Sequence, residues 1–256
     1  MRRLLLALWL ALVPMSGNAA CRLALALALD VSGSVNADEY RLQMSGLAAA
    51  LGDPDVEAAL FAIPDAPVAL AVFEWSSSRY QQMIQDWIVI EDRAVLESVR
   101  TRIAGWERRK TPEATGLGAA MEYGKVLLDR APVCWTQTLD VSGDGKNNDW
   151  PDPQMSRDTG MLAGIRINGL VVAGEATDSG GLPSTLDAEE LSAYFHARVI
   201  QGPDAFVEMA LGFENYAEAM RRKLLRELKA APVAVLPAPS FSMVVSADLR
   251  REDVGQ

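Results

Sequence analysis

Residues 23–29, Leu-Ala-Leu-Ala-Leu-Ala-Leu, stop abruptly at Asp30-Val31-Ser32-Gly33-Ser34, and a further strand-like stretch, 133–141, runs into the same Asp-Val-Ser-Gly turn at Asp140-Val141-Ser142-Gly143-Asp144-Gly145. An unbroken apolar run this short, closed by turn-forming Asp, Ser and Gly, reads as a strand buried on both faces. Helical patterns follow or precede each run. The combination predicts an α/β chain, with a doubly wound, mainly parallel sheet flanked by helices.

The rest of the sequence continues that alternation. Helices are expected over 36–51, 91–106, 115–128, 158–164, 187–196 and 213–229, and strands over 67–75, 81–90, 165–173 and 205–209. The strand 81–90 is expected to return antiparallel to 67–75 across Ser76-Ser77-Ser78. In the helix over 115–128, Gly116, Gly118, Ala119 and Ala120 allow close approach to the sheet. In the last helix Tyr216, Met220, Leu224 and Leu228 form one apolar stripe, with Arg221, Arg222, Lys223 and Arg226 expected to face water.

Arg2 and Arg3 precede an apolar stretch over 4–13, and small residues close the segment 16–20. This reads as a cleavable export signal over 1–20, because about ten apolar residues fall short of the roughly 20 that span a bilayer as a helix. Cleavage leaves a domain over 21–229 and a tail over 230–256. Pro232, Pro237 and Pro239 interrupt that tail, which reads as a wrapping or loose segment and not a membrane span. The charge is 24 − 34 = −10 for the whole chain, and −12 once Arg2 and Arg3 are removed. With no cluster of five Lys and Arg, a nucleic-acid partner is not expected. The expected location is periplasmic or secreted.

Asp30, Ser32 and Ser34 fall where a parallel strand ends, the edge at which doubly wound folds bind ligands. The second turn, with Asp144, ends another strand, and Thr115 stands at a predicted helix start between them. Oxygen ligands suit a hard cation: Mg²⁺ above all, with Mn²⁺ or Ca²⁺ as alternatives. A single histidine, His196, and two separated cysteines argue against a transition-metal centre. Residues 140–151 also imitate the start of an EF-hand loop, but Pro151 stands where its closing Glu belongs.

Asp30-x-Ser32-x-Ser34, then Thr115 opening a Gly- and Ala-rich helix, then Asp144-Gly145, resembles the metal-ion-dependent adhesion site of von Willebrand factor type A domains. Trp75-Ser76, the run 141–145 and Asn168-Gly169-Leu170 are similar to a bacterial exported subfamily of undefined function. The resemblance implies that Ser32 and Ser34 bind the ion directly, and that Asp30, Thr115 and Asp144 bind it directly or through water. It leaves one position for an Asp or Glu carboxylate of a partner protein. Thr111 competes with Thr115, and Asp140 with Asp144; the pattern favours Thr115 and Asp144.

In the order this resemblance implies, the strands beginning near Cys21 and Cys134 are neighbours, and an oxidising compartment favours a Cys21–Cys134 disulfide. Lipid modification of Cys21 competes, although Asn18-Ala19-Ala20 lacks the Leu-like residue that lipoprotein signals carry. The expected activity is binding and not catalysis. A metal-dependent hydrolase of phosphoesters or peptides in the same crevice is the alternative; no Ser-His-Asp arrangement supports it, and Ser32 occupies the place of the second Asp of haloacid dehalogenase-type phosphatases.

Overall fold

The computed structural model describes residues 21–173 and 185–230. The expected signal at 1–20, the loop 174–184 and the tail from 231 onward lie outside the described residues.

Strand β1 (Cys21–Asp30) is buried along its whole length. Side chains alternate between the two faces of a sheet, so Leu23, Leu25, Leu27 and Leu29 enter one core while Ala24, Ala26 and Ala28 enter the other. The leucine face lies in the core shared with α1 (Ala37–Leu51), α2 (Pro54–Leu60), α3 (Arg93–Ala104) and α7 (Tyr216–Ala230). The alanine face, with less side-chain bulk, receives α4 (Leu117–Asp129), and α6 (Thr185–Arg198) lies on the same side of the sheet. A short α5 (Pro153–Asp158) packs against α4.

The sheet has six strands in the order β3-β2-β1-β4-β5-β6, formed by β2 (Val68–Trp75), β3 (Gln81–Ile90), β4 (Cys134–Gly143), β5 (Arg166–Ala173) and β6 (Val207–Leu211) around β1. Only β3 is antiparallel to its neighbour. The register sets Asp30 beside Trp75 and Leu29 beside Ser142, so both Asp-Val-Ser-Gly turns leave the same edge of the sheet. At the opposite edge Cys21 pairs with Cys134, and their sulfurs are bonded, which leaves no thiol on Cys21 for a lipid.

Local chemistry explains where elements start. Asn36 caps α1, accepting from the Asp38 and Glu39 N–H groups, while Glu39 returns a bond to the Asn36 N–H. Helix α2 was not expected, yet Asp53 followed by Pro54 is a start signal: the Asp53 carboxylate accepts from the Asp55 N–H at 2.9 Å. The expected helix over 158–164 is displaced to Pro153–Asp158. Asp152 and Pro153 begin it, and Gly160 and Gly164, at φ of 75° and 84°, end the helical path. Lys223 also departs from expectation. It is fully buried, because two acids wait for it inside the protein: its ammonium lies 2.8 Å from Asp140 and 2.7 Å from Glu227. Among the described residues no helix is long and apolar enough to cross a membrane.

Candidate functional site

The turn after β1 is shaped by its own side chain. The Ser32 N–H donates to Asp30 Oδ1 at 2.8 Å, and Gln43 of α1 donates to the Asp30 carbonyl at 3.0 Å. A second anchor comes from the loop before α4: the Gly33 N–H donates to the Glu113 carbonyl at 2.9 Å. A side chain on Gly33 would stand 2.9 Å from Glu113 Cβ, so a bulkier residue would push the two loops apart.

Five oxygen-bearing side chains from three distant segments meet at this edge. Ser32 Oγ lies 3.2 Å from Ser34 Oγ, Thr115 Oγ1 donates to Ser32 Oγ at 3.3 Å, and Ser34 Oγ donates to Asp144 Oδ1 at 2.6 Å. Asp30 is joined to the group through Ser32. Its other oxygen, Oδ2, is buried with no hydrogen-bond partner. Asp30, Ser32 and Thr115 are buried and Asp144 is partly exposed, so the cluster opens to solvent on the Asp144 side.

The competing residues point elsewhere. Thr111 donates its hydroxyl to the Val31 carbonyl at 3.0 Å, and Asp140 is committed to Lys223 beneath the sheet edge. Thr115 is held by a residue that sequence reasoning did not single out: its N–H donates to Asn148 Oδ1 at 2.8 Å, and the Asn148 N–H returns a bond to the Thr115 carbonyl at 3.0 Å. Asn147 continues the clamp, accepting from the Gly118 N–H. The two asparagines follow the Asp144-Gly145 turn directly, and that placement was the available signal.

The electrostatics are unbalanced in one direction. Burial, followed by the charge of Asp144, raises the Asp30 pKa to about 8, against the opposing bond from Ser32. Burial also raises Asp144, with the Ser34 hydroxyl acting against it. Two carboxyl groups and three hydroxyls, with a buried carboxylate oxygen lacking a partner, fit a hard divalent cation, which would neutralise both acids and take the vacant lone pairs. Among the described residues no three His, Cys, Asp or Glu side chains stand together as a metal cluster. The group here has two such residues and makes up its number with hydroxyls. His196, exposed on α6, is not part of it.

A six-stranded sheet of this order, covered by helices on both faces and carrying an Asp-x-Ser-x-Ser turn at its carboxyl edge, defines a von Willebrand factor type A-like fold. The chain belongs to the family described as a protein of unknown function, DUF1194, whose model matches residues 20–232. No curated protein matches it. Among solved structures it is similar to proximal thread matrix protein 1 from the mussel byssus, at 14% identity and a TM-score of 0.53, over 82% of this chain and 47% of that one. Another structure of that protein has a zinc-occupied MIDAS motif. It is also similar to a von Willebrand factor type A protein from Catenulispora acidiphila, at 13% identity, TM-score 0.55, and 82% and 43% coverage. The pilus adhesin SpaC from Lactobacillus rhamnosus GG matches at 12% identity, TM-score 0.51, and 82% and 30% coverage. The chain spans less than half the length of each, and at these identities the likeness establishes the fold.

Proposed function

We propose that the protein is an exported, metal-dependent binding module. In this reading Asp30, Ser32, Ser34, Thr115 and Asp144 hold a divalent cation of the Mg²⁺ type, and the cation accepts a carboxylate from an Asp or Glu of a partner protein. The observation that carries the proposal is the convergence of those five side chains at one edge of the sheet, where one carboxylate oxygen, Asp30 Oδ2, is buried without a hydrogen-bond partner among the described residues. Three of the five ligands are neutral hydroxyls, so the two carboxylates would at most balance a divalent ion, and its open position could still take an incoming anion. The Cys21–Cys134 disulfide suits export to an oxidising compartment, and removal of residues 1–20 would leave Cys21 at or near the new amino end. The adhesin and thread-matrix relatives of this fold support a binding role.

The chain's own residues have distinct tasks. Ser34 and Asp144 bridge the two turns, Asn148 fixes the helix start that presents Thr115, and Gln43 fixes the Asp30 backbone. Calorimetric titration of the full chain with Mg²⁺ and Mn²⁺ tests the reading. Saturable binding is expected, lost in Asp30→Ala and Ser32→Ala while their thermal unfolding stays cooperative. Copurified partners should leave the wild-type protein in EDTA. Absence of ion binding to the folded wild type would sink the proposal.

A further inference from the structure

The connection from α3 to α4, residues 105–116, reaches the turn that carries Ser32 and Ser34 at three points. Thr111 donates to the Val31 carbonyl at 3.0 Å, the Glu113 carbonyl accepts from the Gly33 N–H at 2.9 Å, and Arg108 Nη2 donates to the Val35 carbonyl at 2.5 Å. These bonds bracket the two serines: Val31 precedes Ser32, Gly33 separates the pair, and Val35 follows Ser34. The same connection ends in Thr115, whose hydroxyl meets that of Ser32 at 3.3 Å. Three of the five side chains in the cluster therefore depend on how this one segment is placed.

The position of Arg108 is itself built into the fold. Its guanidinium lies over the Tyr40 ring of α1, 5.4 Å from the ring centre. The Tyr40 hydroxyl donates to Glu74 Oε2 at 3.1 Å, and Trp106, two residues before Arg108, donates its indole N–H to the same oxygen at 3.2 Å. Glu74 is fully buried in β2, and the carbonyl of its neighbour Trp75 accepts from the Val31 N–H at 2.8 Å. Turn and connection are thus both anchored at the end of β2. Arg108 is half-buried, so its stem is packed while its head reaches the Val35 carbonyl.

Such tethering matters more to one ion than to another. Mg²⁺ demands near-octahedral oxygens at about 2.0–2.1 Å, whereas Ca²⁺ accepts about 6–8 oxygens at about 2.3–2.6 Å in looser geometries. A ligand set held by a tethered backbone suits the smaller ion. We infer, on the reading of this edge as a divalent-cation site, that Arg108 is a positioning residue for the turn 30–34 and sets a preference for Mg²⁺ over Ca²⁺. Its hydrogen bond goes to the Val35 carbonyl and not to a ligand oxygen, so it acts through the backbone that aims Ser34. Its charge works in the opposite sense. A guanidinium beside the turn repels an incoming cation, so by charge alone its removal would tighten metal binding.

Arg108→Met and Arg108→Lys separate the two effects. Methionine keeps an apolar stem on Tyr40 and cannot donate, whereas lysine keeps both the charge and a donor. Calorimetric titration of the full chain with Mg²⁺ and with Ca²⁺ is expected to show Mg²⁺ affinity lowered about tenfold or more in Arg108→Met, with a smaller loss for Ca²⁺ and partial recovery in Arg108→Lys. Hydrogen exchange with no metal present is a second readout: the Gly33 and Val35 amides should exchange faster in Arg108→Met while β1 amides stay slow. Loss of β1 protection would make Arg108 a support of the whole fold and overturns the inference. So does a wild type that prefers Ca²⁺, an Arg108→Met protein that binds Mg²⁺ as well as or better than wild type or loses both ions equally, or turn amides that do not change; each leaves the metal reading standing. A wild type that binds neither ion sinks that reading, and the role of Arg108 with it.

Discussion

Replacing Lys223 with Met should be severely destabilising. The ammonium is fully buried between two acids, 2.8 Å from Asp140 and 2.7 Å from Glu227, above the Phe206 ring at 5.1 Å. Glu227 also accepts from Asn168 at 2.8 Å, whereas Asp140 has no hydrogen-bond partner beyond its ion pair. At an effective dielectric of about 20 each ion contact is worth about 6 kcal/mol, most of it consumed by desolvating three charges. Methionine fills the volume and leaves two carboxyls without a counter-charge, so a loss of about 3–5 kcal/mol is expected. The pH dependence is a second signature. Burial raises Asp140 to about 7, with Lys223 opposing and Glu227 reinforcing the shift. A carboxyl raised on folding binds its proton more tightly in the native state, so its contribution to stability declines as pH rises from about 4 to 7. Without Lys223 the rise is greater, and the penalty of Lys223→Met should shrink at pH 5 relative to pH 8. Urea unfolding followed by tryptophan fluorescence at both pH values measures this. The triple variant Lys223→Met/Asp140→Asn/Glu227→Gln should recover at least half of the loss at pH 8. A single-variant penalty below about 1 kcal/mol, or one equal at the two pH values, would refute the reasoning.

Three other changes probe separate parts of the fold. Reducing Cys21–Cys134, 113 residues apart in sequence, should cost about 5 kcal/mol in the chain-entropy treatment, read as a lower urea midpoint with reductant present. Gly118→Ala places a Cβ 2.2 Å from the Pro151 carbonyl oxygen; a backbone shift is required, and a loss of about 1–3 kcal/mol should appear in thermal unfolding. Glu74 is fully buried and accepts from Tyr40 at 3.1 Å, Tyr80 at 2.7 Å and Trp106 at 3.2 Å. Glu74→Gln exchanges an accepting atom for a donor and orphans at least one of those groups, so about 1–3 kcal/mol should be lost; an unchanged urea midpoint would contradict that network.

What the sequence reveals and what it conceals follows from the range of the forces involved. The β1 strand and its turn are readable because apolar period and turn chemistry act over a few residues, whereas the meeting of Ser32, Thr115 and Asp144 is expected only through the resemblance to von Willebrand factor type A domains. Helix α2 carried an equally local signal in Asp53-Pro54 and was overlooked. Lys223 was different in kind. Its neighbours Arg221, Arg222 and Arg226 do make surface-type contacts, and nothing near it in sequence except Glu227 marks it as buried. Asp140, its other partner, lies across the fold on β4. The same holds for Glu74, which interrupts an apolar strand for the sake of donors from three other segments. Long-range polar pairing has no periodicity to read.

Asp140 within β4 and Asp144 just after it are satisfied in different ways. Asp140 opens the second Asp-Val-Ser-Gly run and Asp144 follows it four residues on, and both are raised by burial. Asp140 has a fixed ammonium at 2.8 Å. Asp144 has no cation, and accepts from the Ser34 hydroxyl at 2.6 Å with the like charge of Asp30 nearby. An internal lysine satisfies the first acid permanently. The second pair is left to be satisfied from outside, and with a divalent ion in place the sum of Asp30, Asp144 and metal would be zero, not negative. A partner carboxylate approaching that edge would respond to charges within about 8 Å at physiological salt, not to the chain's total of −10. The loop whose Glu113 carbonyl holds Gly33 carries Arg109 and Lys110 but also Glu107 and Glu113, all exposed to solvent, so its charges nearly cancel. Attraction of an acidic group to this edge would therefore have to come from a cation bound there first.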